Sequence, residues 1–160
     1  MLNKERQEEV VELCQHLIQK QSYSGHEDGV AGVLEEQLKK KGFDSVTVDK
    51  YGNVIGCIKG NRPGKKILFD GHIDTVPVTD ETEWQYPPFA AEIHDGKIYG
   101  RGTSDMKGAV AGFVTAAAAF AEDTKKDFAG EIYVAGVVHE ECFEGVAARE
   151  ISNFVKPDYV

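Results

Sequence analysis

The sequence has 160 residues and is acidic: 18 lysines and arginines against 27 aspartates and glutamates give a formal charge of −9 at pH 7. That length supports one domain with a real core. Its 41% hydrophobic and 28% charged residues are the balance of a globular chain, not a disordered one. Excess acid argues against nucleic acid and anionic membranes as partners, because both repel a surface that lacks a basic patch.

The first predicted element is a helix from Lys4 to Gln19, with Val10, Val11, Leu13, Cys14, Leu17 and Ile18 at helical spacing along one stripe. Ser24 and Glu27 have the spacing of a capping box and introduce a second helix, with Val30, Val33, Leu34 and Leu38 inward and Gly42 as its stop. The densest basic run, Lys39-Lys40-Lys41, falls at that helix end, where it complements the helix dipole. Strands are predicted over Phe43–Val48 and Val54–Lys59, with turns at Tyr51-Gly52-Asn53 and at Asn61-Arg62-Pro63-Gly64. Lys66–Gly71 suits a buried strand, and Ala91–Tyr99 a hairpin turning at Asp95-Gly96. Met106–Ala121 is apolar all round and predicts a buried helix. A strand over Glu131–Val138 and a helix over Gly145–Phe154, closed by Pro157, complete the series. Helices and strands alternate, which points to an α/β layered domain without repeats or linkers.

Cys14, Cys57 and Cys142 are widely spaced and form no Cys-x-x-Cys pair. Together with a charged N-terminus unlike a signal peptide, they suggest a cytoplasmic protein without a disulfide framework. No apolar run approaches the ~20 residues needed to cross a bilayer.

Three segments carry chemistry. In Gly71-His72-Ile73-Asp74-Thr75-Val76-Pro77, which follows a buried strand, His72 and Asp74 stand two residues apart and point the same way on an extended chain. A histidine can give one ring nitrogen to a metal while the other donates to a carboxylate; the bland alternative is a structural His–Asp pair. In Gly100-Arg101-Gly102-Thr103-Ser104-Asp105-Met106-Lys107-Gly108, Asp105 is either a ligand able to bridge two ions or a helix N-cap. The glycine spacing fits neither phosphate-loop nor dinucleotide motifs. In His139-Glu140-Glu141, two adjacent carboxylates leave a buried strand, so that one could ligate a metal and the other act as general base; the alternative is a solvated turn. Open α/β sheets place ligand sites at the carboxyl ends of strands. One imidazole with several carboxylates favours zinc, cobalt or manganese.

These three motifs resemble those of the M20 metallopeptidases, the family of acetylornithine deacetylase, succinyl-diaminopimelate desuccinylase, carboxypeptidase G and aminoacylase. The similarity runs from the first helix to Pro157. It implies a three-layer α/β/α fold with a central mixed sheet, of zinc-exopeptidase type and truncated. It also implies a metal-dependent hydrolase of amide or peptide bonds that acts on a small N-acyl amino acid or peptide. Position by position, the resemblance makes His72, Asp105 and Glu141 metal ligands, with Asp105 bridging two Zn2+ ions (Co2+ or Mn2+ being alternatives). Asp74 orients His72, Glu140 is the general base, and the Asp105–Met106 peptide is expected to be cis.

The family also uses a further acidic ligand a few residues beyond a Pro-Asp-Tyr-Val-like strand, a histidine near the far C-terminus, and an inserted lid that makes a homodimer. The sequence closes at Pro157-Asp158-Tyr159-Val160. Residues 1–160 are therefore expected to be the N-terminal part of the catalytic domain, inactive alone, with a non-catalytic metal-binding fragment as the alternative. His16, His26, His94 and His139 are expected to be structural or solvated, His139 pointing to the far face of an extended strand. Cys142 reads as a small hydrophobe, and Trp84–Phe89 as a packed loop over the sheet, with a substrate wall as the alternative.

Overall fold

A computed structural model of the chain describes residues 3–143 and 145–160. Two helices lead, α1 (Lys4–Ile18) and α2 (Asp28–Lys40), followed by strands β1 (Ser45–Val48), β2 (Val54–Lys59) and β3 (Arg62–His72). A small hairpin, β4 (Glu92–His94) and β5 (Lys97–Tyr99), precedes helix α3 (Gly108–Thr124) and strand β6 (Ala129–Val137). The short helix α4 (Glu140–Phe143) and helix α5 (Val146–Val155) follow.

The main sheet is mixed, in the order β1-β2-β6-β3, with β3 and β6 parallel and the other pairs antiparallel. Alternation along each strand sends side chains to two faces. On one face Phe69 of β3 stacks against Phe113 of α3, and the Leu34 side chain of α2 lies against Gly136 of β6. On the other, Lys66 reaches the Val155 carbonyl at the end of α5 (3.2 Å), and Ala147, Ile151 and Val155 are buried. The architecture is the expected three-layer α/β/α arrangement. Its core joins Leu13, Leu17, Ile18, Leu34, Ile58 and Leu68 with the inner residues of α3 and α5. Residues 158–159 lie along β3, where Leu68 N–H donates to the Tyr159 carbonyl (2.9 Å).

Several boundaries follow the sequence. α2 ends where Gly42 and Phe43 N–H groups turn back to the Lys39 and Leu38 carbonyls (both 3.2 Å), which satisfies the last turn of the helix. The β4–β5 hairpin turns at Asp95–Gly96, both at positive φ. Other expectations fail for physical reasons. Asn61–Gly64 is not a free turn: β3 already begins at Arg62, and a register irregularity between Arg62 and Lys66 absorbs the proline and glycine. The alanine-rich helix starts at Gly108 and buries one face only: Val110, Ala111, Val114, Ala117 and Ala121 point inward, while Phe120 is exposed. Trp84–Phe89 packs on the hairpin and its surroundings instead of the main sheet: Tyr86 stacks on His94 (3.8 Å between ring centres), and Arg101 lies over Trp84. Ser24 and Glu27 form no capping box. The Ser24 hydroxyl donates to Asp74, Glu27 makes no side-chain cap, and its carboxylate accepts from His139 N–H.

Candidate metal centre

Two parallel neighbours, β3 and β6, end side by side, with His72 opposite Val137. Chain segments leaving these ends bring the sequence motifs together. His72 is the last residue of β3 and is buried. Its Nδ1 lies 3.0 Å from the Asp74 carbonyl, an atom that can only accept, so this nitrogen carries a proton. The other nitrogen, Nε2, lies 2.9 Å from Asp105 Oδ1. Burial pushes the imidazole down, but hydrogen bonds to the Asp105 carboxylate and the Asp74 carbonyl outweigh it and hold His72 above the ordinary histidine value.

Asp105 arrives on an irregular turn, Thr103–Lys107, between Gly102 and α3. The Asp105–Met106 peptide is cis, as the resemblance implies. Gly102 has φ +83°, and a Cβ there would meet Thr75 Cγ2 at 2.8 Å, so only glycine lets this turn approach the His72–Asp74 segment. The turn is fixed from below by Lys107, which is fully buried. Its ammonium donates to the Leu17 and Lys20 carbonyls (both 2.9 Å) at the end of α1, while burial pushes its pKa down to about 8. Lys107 was not singled out in the sequence. The one signal was a charge between Met106 and Gly108 at the head of an apolar helix.

The third motif does not continue β6. His139 has φ +59°, a left-handed turn and not an extended residue, and its ring meets Phe143 edge-on. Four consecutive amides are held by side chains from elsewhere. Asn53 accepts from Val138 (2.9 Å), Glu27 from His139 (3.0 Å), and Asp74 from Glu140 and Glu141 (3.2 and 3.1 Å). Asp74 is fully buried and also accepts from the Ser24 hydroxyl (2.7 Å). Asp74 thus meets His72 through its backbone carbonyl, with the nearer carboxylate oxygen at 3.6 Å, and its carboxylate in addition anchors the Glu140–Glu141 turn.

His72, Asp105 and Glu141 converge, with one ligand atom of each within 4.8 Å of the others. Among the described residues this is the sole such group. Its donors, one imidazole with the far nitrogen locked as a donor and two carboxylates, suit a divalent ion of the zinc, cobalt or manganese kind. Glu140, next to Glu141 in the chain, is exposed. Cys142 is exposed and takes no part, His16 and His26 are exposed, and His94 pairs with Glu92 at 2.7 Å.

The sequence profile of Peptidase family M20/M25/M40 matches residues 68–160, more than half of the chain and all three motifs. The chain belongs to this family. The M20 chain is 36% identical over 140 residues to a succinyl-diaminopimelate desuccinylase of Roseobacter denitrificans, covering 86% of this chain and 37% of that protein. It is 39% identical over 132 residues to the enzyme of that name from Beijerinckia indica, covering 78% and 34%. Among solved structures it resembles an M20 metallo-carboxypeptidase of Sulfolobus solfataricus, with a TM-score of 0.82 at 25% identity over 95% of this chain and 36% of that one. The M20 chain thus spans little more than a third of the length of these relatives. No helix among its described residues is long and apolar enough to cross a membrane.

Proposed function

We propose that residues 1–160 are the N-terminal part of the catalytic domain of a zinc-dependent hydrolase. It cleaves the amide bond of an N-acyl amino acid or short peptide, works as a homodimer in the cytoplasm, and is completed by residues beyond this stretch. The observation that carries this reading is the convergence of His72, Asp105 and Glu141 at the ends of β3 and β6. These three would hold metal, Asp105 bridging two ions. When bound, the metal polarises a carbonyl oxygen and acidifies a nearby water. Glu140, exposed and adjacent in the chain to Glu141, takes the proton of the attacking water and passes it to the leaving amine. Asp74 holds the imidazole of His72 in the right tautomer through its carbonyl and fixes the turn that presents both glutamates. The names of the relatives make an N-succinyl amino acid the first substrate to try.

A second reading, a metal-binding fragment without turnover, is favoured by the share of relatives covered and by a donor set of three. Two measurements test both. In the full-length protein, Glu140→Gln should lower kcat on an N-succinyl amino acid by about 10²- to 10⁴-fold, and chelation should abolish turnover; undiminished hydrolysis by metal-free protein refutes the hydrolase mechanism. In residues 1–160, calorimetric titration with zinc should show binding without hydrolysis. Tight uptake of two ions with turnover refutes the fragment reading.

A further inference from the structure

We infer that Glu27, at the head of α2, is a positioning residue for the Glu140–Glu141 turn, acting through the backbone of His139. The inference deepens the proposed function, on which it rests.

Glu27 has the spacing of a helix-capping glutamate, three residues after Ser24, yet neither side chain does that work. Glu27 makes no side-chain cap, and α2 starts with helical backbone at that residue. Its carboxylate, 5% exposed, instead crosses 112 positions of sequence to accept from His139 N–H at 3.0 Å. Ser24 makes the parallel choice, donating to Asp74 at 2.7 Å. The two residues that would close a local cap are thus both spent on distant partners: Glu27 on the His139 amide, and Ser24 on the Asp74 carboxylate that holds the next two amides.

That turn needs an external hold. His139 adopts φ +59°, a left-handed conformation that a residue bearing a Cβ rarely takes. A buried side-chain acceptor on its N–H helps to hold that conformation, because an unmet buried amide would add a further cost. The left-handed residue is the pivot that turns the chain out of β6, so that residues 140 and 141 leave toward His72 and Asp105 instead of continuing the strand. The same carboxylate oxygen lies 3.4 Å from His139 Nδ1 but out of line, and this nitrogen has no hydrogen-bond partner among the described residues. The backbone bond is therefore the effective contact. Asn53 and Asp74 hold the amides on either side, Glu27 accepts from the amide of the pivot itself, and the pivot's carbonyl accepts from Phe143 N–H at 2.9 Å.

The test uses the 160-residue chain with Glu27→Ala, Glu27→Asp and Glu27→Gln, and two readouts. The first, independent of metal, is hydrogen exchange of the His139 amide. It should be protected in the wild type, lose at least tenfold protection in the Ala and Asp variants, and keep it in Gln, whose carbonyl can still accept. The second is Co2+ titration followed by its visible absorption. Affinity should fall about tenfold in Ala and Asp, as for other residues that orient a metal ligand, and stay within about threefold in Gln. If Ala does not fold, Asp carries the test, since it keeps the charge and loses only reach. An unprotected wild-type amide, or unchanged protection in the folded variants, overturns the inference whatever the metal does. Lost protection with unchanged Co2+ affinity and spectrum also overturns it. Absence of Co2+ binding by the wild type refutes the metal reading and leaves the exchange result to judge the contact.

Discussion

Where β2 passes to β3, each carboxylate meets a cation: Asp44 pairs with Lys126 and Asp158 with Lys65, both at 2.6 Å, and Asp127 with Arg62 at 3.0 Å. At the opposite end of the same sheet the acids are handled differently. Asp74 and Glu27 are buried against backbone amides, and Asp105 and Glu141 face His72 and each other, with no lysine or arginine paired to them among the described residues. The first arrangement neutralises charge and leaves nothing for a ligand to do. The second uses amide dipoles to keep two carboxylates rigid and keeps the remaining acids available to an outside cation. A pair of side chains in water contributes little, whereas a buried acceptor that loses its role strands every donor it served.

The contrast can be broken by substitution. Asp74→Ala should cost most, about 3 kcal/mol, because the Glu140 and Glu141 amides and the Ser24 hydroxyl all lose their acceptor. Urea unfolding at pH 7 measures this, and a loss as small as that expected at the far end would erase the distinction. Lys107→Met should cost about 2 kcal/mol, since the Lys20 carbonyl loses the ammonium and the Leu17 carbonyl keeps just the Lys20 N–H at 3.3 Å, while the apolar stem is largely replaced. A thermal transition at the wild-type temperature would show that this lysine does not secure the Asp105 turn.

Asp44→Asn should cost least, under about 1 kcal/mol once solvent screening is allowed for. Burial raises the Asp44 pKa, but Lys126 and the Lys59 amide outweigh it and hold the carboxyl below its ordinary value. A carboxylate whose folded pKa is depressed contributes fully above its unfolded pKa, about 3.9, and loses that contribution as pH falls through the folded one. Wild type and variant should therefore differ in stability at pH 7 and begin to converge once the pH falls below about 3.9, closing as it passes through the depressed folded value. A difference that persists there would mean that packing, not charge, is at stake.

The fold was readable because its strands are short apolar runs bounded by turn residues. β2 falls on Val54–Lys59 as the pattern marks it, and the hairpin turns on its Asp-Gly pair. The convergence of His72, Asp105 and Glu141 was readable because each stands in a dense polar motif beside such a run. What escaped depends on contacts across long stretches of chain. Ser-x-x-Glu looks the same whether it closes its own helix or reaches another segment, so the destination of Ser24 and Glu27 could not be read locally. His72 and Asp74 were paired correctly, but spacing does not say whether the carbonyl or the carboxylate does the orienting. A lysine inside a glycine-rich motif looks solvated, although Lys107 is fully buried. Uniform apolarity in α3 suggested burial all round, yet alanine satisfies an exposed helix surface equally well.

The place of β6 in the sheet governs the order in which the protein can assemble. β2 and β3 are joined by just Gly60 and Asn61, yet they do not pair; β6 lies between them. During synthesis both strands therefore present an open inner edge until residues 129–137 emerge, and the amides of 138–141 reach Asn53, Glu27 and Asp74 only after that. Such late, distant pairing slows folding and exposes strand edges to other chains. A nascent chain stalled before β6 carries the first two motifs without the turn that gives them a shared geometry.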